Sequence, residues 1–500
     1  WASNLENWEP GESPLLKKII STFALGFHSM TVGLLSVNTI KMKNLTFLTL
    51  LLFSFGAVSA QSIADCPSNL SIFAEFAKVK NYDSAYSHWL EVKNRCPDLN
   101  EATYVYGERI LGHKIKNEEE NEEYILILSS LYDDWLTYFP KDRRGKSQLG
   151  KIISAKAQSM LEYETASLAE IYATFDQAFK SDMESFANPK ALYNYFKTLY
   201  TMYKNEDENV TMDALFSKYE DISEKFVIEN QKLSKTLDRI LMKEEDGKTL
   251  TSRDKRSKRV AEINSRANST YANNLDAIIS QEASCENLIP LYRSNFDENK
   301  SDEKWLKRAA SRMDAKECSD DPLFVELVEA LHSLSPSADS AYYLGILKDK
   351  AGNTNEAIAF YEESLSLESD AYRKAEILYK IAAKLKKRGL KSQARKYANQ
   401  ALSNKPSMGK AYILIAGLYA DSANDCGNNQ FEKQAVYWLA AQTARRAAIV
   451  DPSLKKTSQK LEASYSGRAP SKTDIFTQGK AGEVILIECW IRSSVTVPNL

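Results

Sequence analysis

Small residues recur at a fixed spacing in the last third of the chain, and this spacing restricts the fold more than any other sequence feature. The interval of twelve residues separates Gly345 from Ala357, Ala382 from Ala394, Ala394 from Pro406, and Ala440 from Pro452. Small side chains let two antiparallel helices approach closely, and Pro cannot continue the interior of a helix. Each unit therefore predicts a helical hairpin. Because one hairpin cannot bury its apolar face alone, neighbouring hairpins must stack to complete the core.

Helical periodicity extends well beyond these units. From Asp65 to about Ser466 apolar residues recur at spacings of three and four, which indicates helices almost throughout. Only 18 Gly and 13 Pro occur in 500 residues, which argues against an all-β fold. We predict a regular array of about three repeats over 335–466. Residues 61–334 show amphipathic helices without a clean motif, and we predict divergent helical hairpins there.

The final segment, 467–500, has a different pattern. The β-branched and apolar run Val484–Ile491 and the run Ser494–Val497 follow turn residues at Gly479 and Gly482. Such runs beside turn residues predict a short β-hairpin. The predicted fold class is therefore all-α, an α-solenoid of antiparallel helical hairpins with a short C-terminal β-hairpin cap.

A known repeat pattern accounts for these spacings. The residues that carry it are the pair Leu344 and Gly345, the pair Ala357 and Tyr361, and the terminal prolines Pro406 and Pro452. With them, residues 338–452 resemble the tetratricopeptide repeat family. Ser369 replaces the first terminal Pro, and an insertion at 421–434 interrupts the third unit. More loosely, the whole chain looks like the exported tetratricopeptide proteins of Bacteroidota-type bacteria.

The resemblance implies a groove, lined by the first helix of each hairpin, that holds a protein or peptide partner. Carried over to this sequence, the groove comprises Tyr342, Ile346, Asp349, Tyr379, Ala383, Lys386, Lys387, Ile413 and Gly417. The tyrosines would supply apolar contact together with a hydroxyl group. Lys386 and Lys387 would receive an acidic side chain or a C-terminal carboxylate. The alternative is that all nine are ordinary surface residues.

An export signal is predicted near the start of the chain. Met42 precedes an apolar run at Leu45–Val58, and the small residues up to Ala60 fit a signal peptidase site. We predict a signal peptide at 42–60, and residues 1–41 are then upstream sequence translated in frame or an unusual leader. A buried helix or a membrane anchor is the alternative interpretation. No later run of about 20 apolar residues predicts a membrane span.

All six cysteines lie beyond this signal, in a segment for which we predict a periplasmic or extracellular location. That compartment is oxidising, so an even number of cysteines points to disulfides. Two pairs share one geometry, with the first Cys before a predicted helix and the second after the next helix, where the two chain ends meet. The third pair follows by elimination. The predicted disulfides are Cys66–Cys96, Cys285–Cys318 and Cys426–Cys489.

Sequence motifs for chemistry are scarce. The chain has no Cys-x-x-Cys, no phosphate-binding glycine loop and no Gly-x-Ser-x-Gly, so we predict no enzyme, no metal and no cofactor. The net charge of −2 gives no reason to expect nucleic acid. The basic stretch Lys248–Arg259 has no interleaved aromatic residues, and we interpret it as a solvated loop.

The sequence therefore predicts a non-catalytic exported scaffold that mediates protein–protein contact in the bacterial cell envelope. Two alternatives stay open. One is a structural envelope component that self-associates. The other is an enzyme with an unrecognised site in residues 141–334. The sequence does not determine the oligomeric state.

Overall fold

The computed structural model describes residues 61–500, with side chains from Asp65 onward. The predicted signal peptide at 42–60 and the upstream segment 1–41 lie outside the described residues. The chain divides into two units, Trp1–Ser68 and Asn69–Leu500. Only the start of one helix is described in the first unit, so the architecture below is that of the second.

Twenty α-helices and one pair of strands succeed one another in the described part of the chain. In order they are α1 Gln61–Lys78, α2 Tyr82–Arg95, α3 Ala102–Asn117, α4 Glu122–Tyr138, α5 Leu149–Glu162, α6 Leu168–Asp182, α7 Pro189–Lys204, α8 Met212–Glu245, α9 Ser252–Ile279, α10 Cys285–Asn299, α11 Glu303–Ala315, α12 Pro322–Leu334, α13 Ala338–Lys350, α14 Thr354–Leu367, α15 Ala371–Lys387, α16 Lys391–Asn404, α17 Gly409–Ala420, α18 Gln430–Val450, α19 Lys455–Ser466, α20 Lys472–Gln478, β1 Val484–Ile487 and β2 Ser493–Thr496. Two 3₁₀ turns, Ala423–Asp425 and Pro452–Leu454, flank α18.

Successive helices pack against one another along the chain, which is the arrangement of an α-solenoid. The three predicted repeats are the hairpins α13–α14, α15–α16 and α17–α18, which we call the repeat array. Side-chain caps stabilise the N-termini of two of these helices. Ser337 forms a capping box with Ser340 at α13, and Asp370 caps α15. The predicted all-α solenoid with a C-terminal β-hairpin is confirmed.

The small residues of the repeat pattern lie where helices cross closely. A Cβ atom at Gly345 in α13 would lie 2.5 Å from a ring carbon of Tyr361 in α14. A Cβ at Gly107 would lie 2.7 Å from the indole nitrogen of Trp89 in the same way. In each case an aromatic ring fills the space that a side chain would need, so glycine sets the distance between the two helices.

Two large apolar clusters account for most of the core. One runs from Phe73 to Ile152, and the other runs from Ile153 to Leu418. The two clusters therefore meet at α5, on neighbouring residues of one helix. The second cluster joins the divergent hairpins to the repeat array without a break.

The helices α8 and α9 form the longest hairpin of the described residues, which we call the long hairpin. With 34 residues, α8 extends over about 51 Å at 1.5 Å per residue. The interpretation of Lys248–Arg259 as a loop is wrong, because α9 begins at Ser252. The Thr251 hydroxyl and Asp254 form a capping box, and Lys243 donates to the same carboxylate at 3.0 Å. These local bonds extend the helix into the basic stretch.

The C-terminal segment adds a helix, α20, that the sequence did not predict. The strands β1 and β2 are antiparallel, with Val484 opposite Thr496 and Ile487 opposite Ser493. β1 is shorter than predicted and ends at Ile487, because the chain turns before β2. Ile485 and Ile487 face inward with residues of α18.

Two disulfides tie the hairpins together. Cys285 and Cys318 are joined with an S–S distance of 2.08 Å, and Cys426 and Cys489 with a distance of 2.04 Å. No cysteine of residues 61–500 is free, and the Cys66–Cys96 pairing stays a prediction. Among the same residues, no helix has both the length and the apolar character that a membrane crossing requires.

The close approach at Gly345 predicts opposite effects for two glycine substitutions. Gly345→Ala should lower the free energy of unfolding by about 1–3 kcal/mol, because the ring of Tyr361 must move. Gly112→Ala in α3 should raise it by about 0.5–1 kcal/mol, because its Cβ meets nothing within 4 Å and Ala favours the helix. Chemical denaturation of each variant measures its free energy of unfolding relative to the original protein. Equal effects would contradict the assigned packing.

The Cys426–Cys489 bond predicts a local change on its removal. Cys426→Ser with Cys489→Ser should lower stability by about 2–4 kcal/mol, because it frees the chain between them in the unfolded state. Hydrogen exchange should become faster at the backbone amides of Ile485 and Ile487. The matched control, Cys285→Ser with Cys318→Ser, should leave those amides protected. Faster exchange at β1 in both double variants would contradict a local anchoring role.

Candidate functional site

The apolar members of the predicted groove lie inside the protein. Tyr342 and Ile346 are each 2% exposed and belong to the larger core cluster. The ring of Tyr342 packs against those of Tyr343 and Tyr361, with centroids 5.4 and 5.8 Å away. These side chains hold the repeat together and offer little surface to a partner.

The charged members of the predicted groove are engaged with neighbouring side chains of the same chain. The ion pairs are Asp349 with Arg388, Lys387 with Glu317, and Lys386 with Asp421 at 3.5 Å. A further pair, Lys384 with Asp314 at 2.7 Å, links α15 to α11. The first-helix face therefore carries its own ion pairs across much of its length.

The remaining members lie at the margins of this face. Tyr379 is half-buried, and the ammonium of Lys410 lies 4.4 Å from its ring centroid. Ala383 and Ile413 are also half-buried. Gly417 is buried, and the Lys386 ammonium lies 2.6 Å from the position that a Cβ of Gly417 would take. The structure thus disperses the nine residues among core, ion pairs and rim.

The long hairpin docks on the repeat array through one buried carboxylate. Asp238 of α8 is 5% exposed, and its Oδ2 accepts a hydrogen bond of 2.5 Å from the hydroxyl of Tyr372. Its Oδ1 accepts a bond of 2.6 Å from the backbone N–H of Ser407. One side chain therefore joins α8 to two repeats, at the start of α15 and just before α17.

Two further contacts fix the ends of this docking. The amide of Gln231 donates to both carboxylate oxygens of Asp370, at 3.0 and 3.1 Å. Near the tip of the hairpin, Glu245 forms an ion pair with Arg446 of α18. These contacts join the long hairpin to the second and third repeats.

A cleft remains between the long hairpin and the repeat array, with a volume of about 510 Å³. This volume lies within the range of small-molecule and peptide-segment sites. Its lining residues are Val227, Asn230, Gln231, Ser234, Leu237, Ser265, Ser269, Asp339, Tyr372, Arg373, Glu376, Ile377, Lys380, Lys405, Ser407, Met408, Lys410, Val450, Asp451 and Ser453. We call this cavity the hairpin cleft.

Charges within the hairpin cleft are nearly balanced. Burial raises the pKa of Glu376, but the charges of Lys410 and Lys405 outweigh it and hold the pKa below its usual value. Burial raises the pKa of Asp451, although Ser453 donates two bonds that act in the opposite direction. Glu376 is therefore ionised at neutral pH, and its charge is neutralised by two lysines.

Two residues that line the cleft each carry a buried polar atom without a hydrogen-bond partner in the described part of the chain. The hydroxyl of Ser407, on a residue that is 5% exposed, and the amide oxygen of Asn230 are both buried and unpaired. Buried polar groups in proteins are almost always paired, so each such atom calls for an explanation. The Asn230 oxygen needs a donor, and the Ser407 hydroxyl can donate or accept.

The cleft was not evident from the sequence, because half of it lies on the long hairpin. The signal that could have found it is the length of α8 and α9, which exceeds that of an ordinary repeat helix. The described residues contain no group of three or more His, Cys, Asp or Glu arranged to hold a metal ion. The cleft offers hydrogen bonds, apolar walls and paired charges, which suits it to binding.

Comparison with known sequences gives one partial relationship. No family model matches the chain. Over 112 residues it is 30% identical to the photosystem I assembly protein Ycf3 of Cuscuta gronovii, a match that covers 21% of this chain and 67% of that protein. The protein of the same name from Cuscuta obtusiflora matches with the same figures.

Comparison with solved structures gives TM-scores too low to establish a common fold. A tetratricopeptide repeat protein from Parabacteroides merdae has a TM-score of 0.22 at 12% identity, covering 63% of this chain and 97% of its own. Yeast Tom70 has a TM-score of 0.24 at 13% identity, covering 84% of this chain and 83% of its own. A chain of the APC/C hetero-tetramer Cut9–Hcn1 has a TM-score of 0.25 at 10% identity, covering 79% of this chain and 95% of its own. The architecture therefore rests on the hairpins described above. Because the sequence match covers 67% of the Ycf3 protein at 30% identity, the chain belongs to the same family as the Ycf3 proteins over the 112 matched residues.

Proposed function

We propose that the protein is a non-catalytic scaffold that binds an extended segment of a partner protein in the hairpin cleft. The observation that supports this most directly is that two residues lining a cleft with apolar walls carry unpaired buried polar atoms, Ser407 Oγ and Asn230 Oδ1. A peptide backbone brings N–H donors and C=O acceptors at regular intervals. It therefore offers partners of both kinds that these atoms lack.

The walls of the cleft also suit a peptide. Leu237, Ile377 and Met408 are buried apolar side chains that line it. They would accept apolar side chains of the bound segment, while the main chain meets the polar atoms. Because Glu376 is neutralised by Lys405 and Lys410, the cleft does not strongly select for one sign of charge.

The groove inferred from the repeat register is a second surface for the same partner in this proposal. Tyr379, Lys386 and Lys387 lie along α15, beyond the cleft-lining residues Tyr372 and Glu376. A bound segment that leaves the cleft along α15 would reach them. Binding there would require an acidic group to compete with Asp421 and Glu317 for the two lysines.

The proposed location is the bacterial cell envelope. The predicted signal peptide at 42–60 and the disulfides Cys285–Cys318 and Cys426–Cys489 support it, because disulfides persist in oxidising compartments. The Ycf3 relatives are named for the assembly of photosystem I. We carry over only the general idea that a scaffold of this kind holds other proteins while they assemble.

A self-associating structural role is the second candidate. The C-terminal cap exposes three large apolar side chains, with Phe476 at 74%, Leu486 at 67% and Val484 at 61%. Exposed apolar side chains of this size are common at interfaces. A mass in solution that rises with concentration, and that falls back with Phe476→Asp, would favour this role over partner binding.

The partner-segment proposal predicts position-dependent crosslinking. A photoreactive phenylalanine at Val227, on the exposed rim of the cleft, should crosslink to one defined peptide segment in envelope extract. The same residue at Leu126, equally exposed on α4, should not. Peptide mapping by mass spectrometry identifies the crosslinked segment. Equal labelling at both positions, or none at Val227, would exclude the cleft as the binding site.

The same assay separates the cleft from the first-helix groove. Asn230→Leu should reduce crosslinking at Val227 by about three- to tenfold, because it removes the acceptor for a peptide N–H. Lys386→Glu with Lys387→Glu should reduce it only if the segment continues along α15. If the lysine variant abolishes binding and Asn230→Leu has no effect, the groove is the site and the cleft is not.

Export predicts a defined start for the protein in the envelope. N-terminal sequencing of the exported protein should give Gln61 as the first residue, directly after the predicted cleavage at Ala60. Non-reducing peptide mapping of the same sample should recover three disulfides. Recovery of the protein only from the cytoplasm, with free thiols, would overturn the proposed location.

A further inference from the structure

A second cavity lies far from the hairpin cleft in sequence, at the junction of the two main core clusters. It has a volume of about 310 Å³ and is lined by α3, α4, α5 and the start of α7. Leu128, Tyr132 and Trp135 come from the first cluster, and Ala191 comes from the second. We call it the junction cavity.

One wall of the junction cavity carries an unpaired buried donor. Trp135 is 2% exposed, and its indole N–H has no hydrogen-bond partner. One face of its ring stacks on Tyr104, and the ammonium of Lys151 lies 4.8 Å from the ring centroid. The ring is therefore held firmly, and its buried N–H lacks an acceptor within residues 61–500. By contrast, the indole N–H of Trp89 donates to a backbone carbonyl at 2.7 Å.

The lining of the same cavity also includes a hydrogen-bond acceptor, the carboxyl group of Glu108. Glu108 accepts one hydrogen bond, of 3.2 Å, from the hydroxyl of Tyr132. Burial raises the pKa of Glu108, against the hydrogen bond from Tyr132 and the charges of Arg109 and Lys151, which lower it. A carboxyl group in this setting gains from additional hydrogen-bond donors. The lining residues thus include one with an unpaired donor and one with a carboxyl group that can accept more bonds.

The charges around the junction cavity favour a neutral ligand. Glu162 is already paired with Lys190 at 3.2 Å, and Lys151 offsets the charge of Glu108. A net anion or cation in the cavity would leave one buried charge without a counterpart. Serine hydroxyls and the amides of Gln158 and Asn188 add further polar groups to the lining. A ligand rich in hydroxyl groups can both donate and accept in such surroundings.

From this geometry we propose that the junction cavity binds a neutral sugar of monosaccharide size. Its hydroxyl oxygens accept from the Trp135 N–H, its hydroxyl hydrogens donate to Glu108, and its C–H groups lie on Leu128 and Ala191. A cavity of 310 Å³ is at the small end of ligand sites, which suits one ring better than a chain of sugars. The site is separate from the hairpin cleft and does not depend on the function proposed for it.

The test is a titration of the full chain, with its disulfides intact, by calorimetry and saturation-transfer NMR. The probes are glucose, galactose, mannose and N-acetylglucosamine, with glucuronate and glucosamine as charged counterparts. At least one neutral sugar should bind, and the charged analogue should bind more weakly. Trp135→Phe should weaken binding by about five- to tenfold, because it keeps an aromatic ring and removes the donor.

Two variants complete the design. Trp305→Phe, on α11 and outside the cavity, is the matched control and should leave binding unchanged. Glu108→Gln preserves the shape of the side chain and should also weaken binding, which decides the matter if Trp135→Phe does not fold. No binding of any neutral sugar at millimolar concentration overturns the proposal. So does binding that neither Trp135→Phe nor Glu108→Gln alters.

Discussion

The close crossing of neighbouring helices is the constraint on which the architecture depends. At Gly345 no Cβ can fit, because the ring of Tyr361 occupies its place. At Gly107 the indole of Trp89 does the same. An aromatic ring of one helix set against a bare backbone of the next gives a large buried area at short range, and dispersion contacts increase steeply as such gaps close. These contacts fix the distance between the two helices of a hairpin, so that the next hairpin can pack against it in the same way.

The long hairpin changes what this stack of helices can do. Asp238 has both of its oxygens in hydrogen bonds, one with Tyr372 and one with the backbone of Ser407. A buried carboxylate is stabilised only by such hydrogen bonds, which makes the docking position of α8 specific. Along the same contact line, Asn230 and Ser407 keep unpaired atoms. Hydrogen bonding between the long hairpin and the repeat array is therefore satisfied at Asp238. It is unsatisfied at Asn230 and Ser407, two residues that line the hairpin cleft.

The sequence predicted the parts of this protein whose determinants lie close together in the chain. The twelve-residue spacing located α13–α18. The positions of Cys285 and Cys318 around one helix pair predicted their disulfide, and Cys426–Cys489 followed by elimination. The start of α9 could also have been predicted, since Thr251 and Asp254 form a capping box across only three residues. Read as a charge pattern alone, the same stretch suggested a loop. Here hydrogen bonding at the helix terminus outweighed the charge composition.

The determinants of the cleft are of another kind. Asp238 forms hydrogen bonds with Tyr372 and Ser407, which are 134 and 169 residues away in sequence. No local sequence pattern predicts such contacts. The groove residues were assigned from repeat register, which fixes where a side chain stands on its helix. Register does not reveal what packs there, so it did not foresee the burial of Tyr342 or the pairing of Lys387 with Glu317. The burial of Tyr342 comes from Tyr343 and Tyr361 in its own hairpin, whereas Lys387 pairs with a residue outside the repeat array.

Both cavities arise where the regular stacking of hairpins is interrupted. Close-packed helices leave few voids larger than a water molecule, so an evenly repeating stack offers grooves but little enclosed space. The hairpin cleft exists because α8 and α9 are longer than the helices they cover. The junction cavity lies where α5 contributes Ile152 to one core cluster and Ile153 to the other. In a solenoid of this kind, enclosed sites are therefore expected where regular stacking is interrupted rather than along an even array of hairpins.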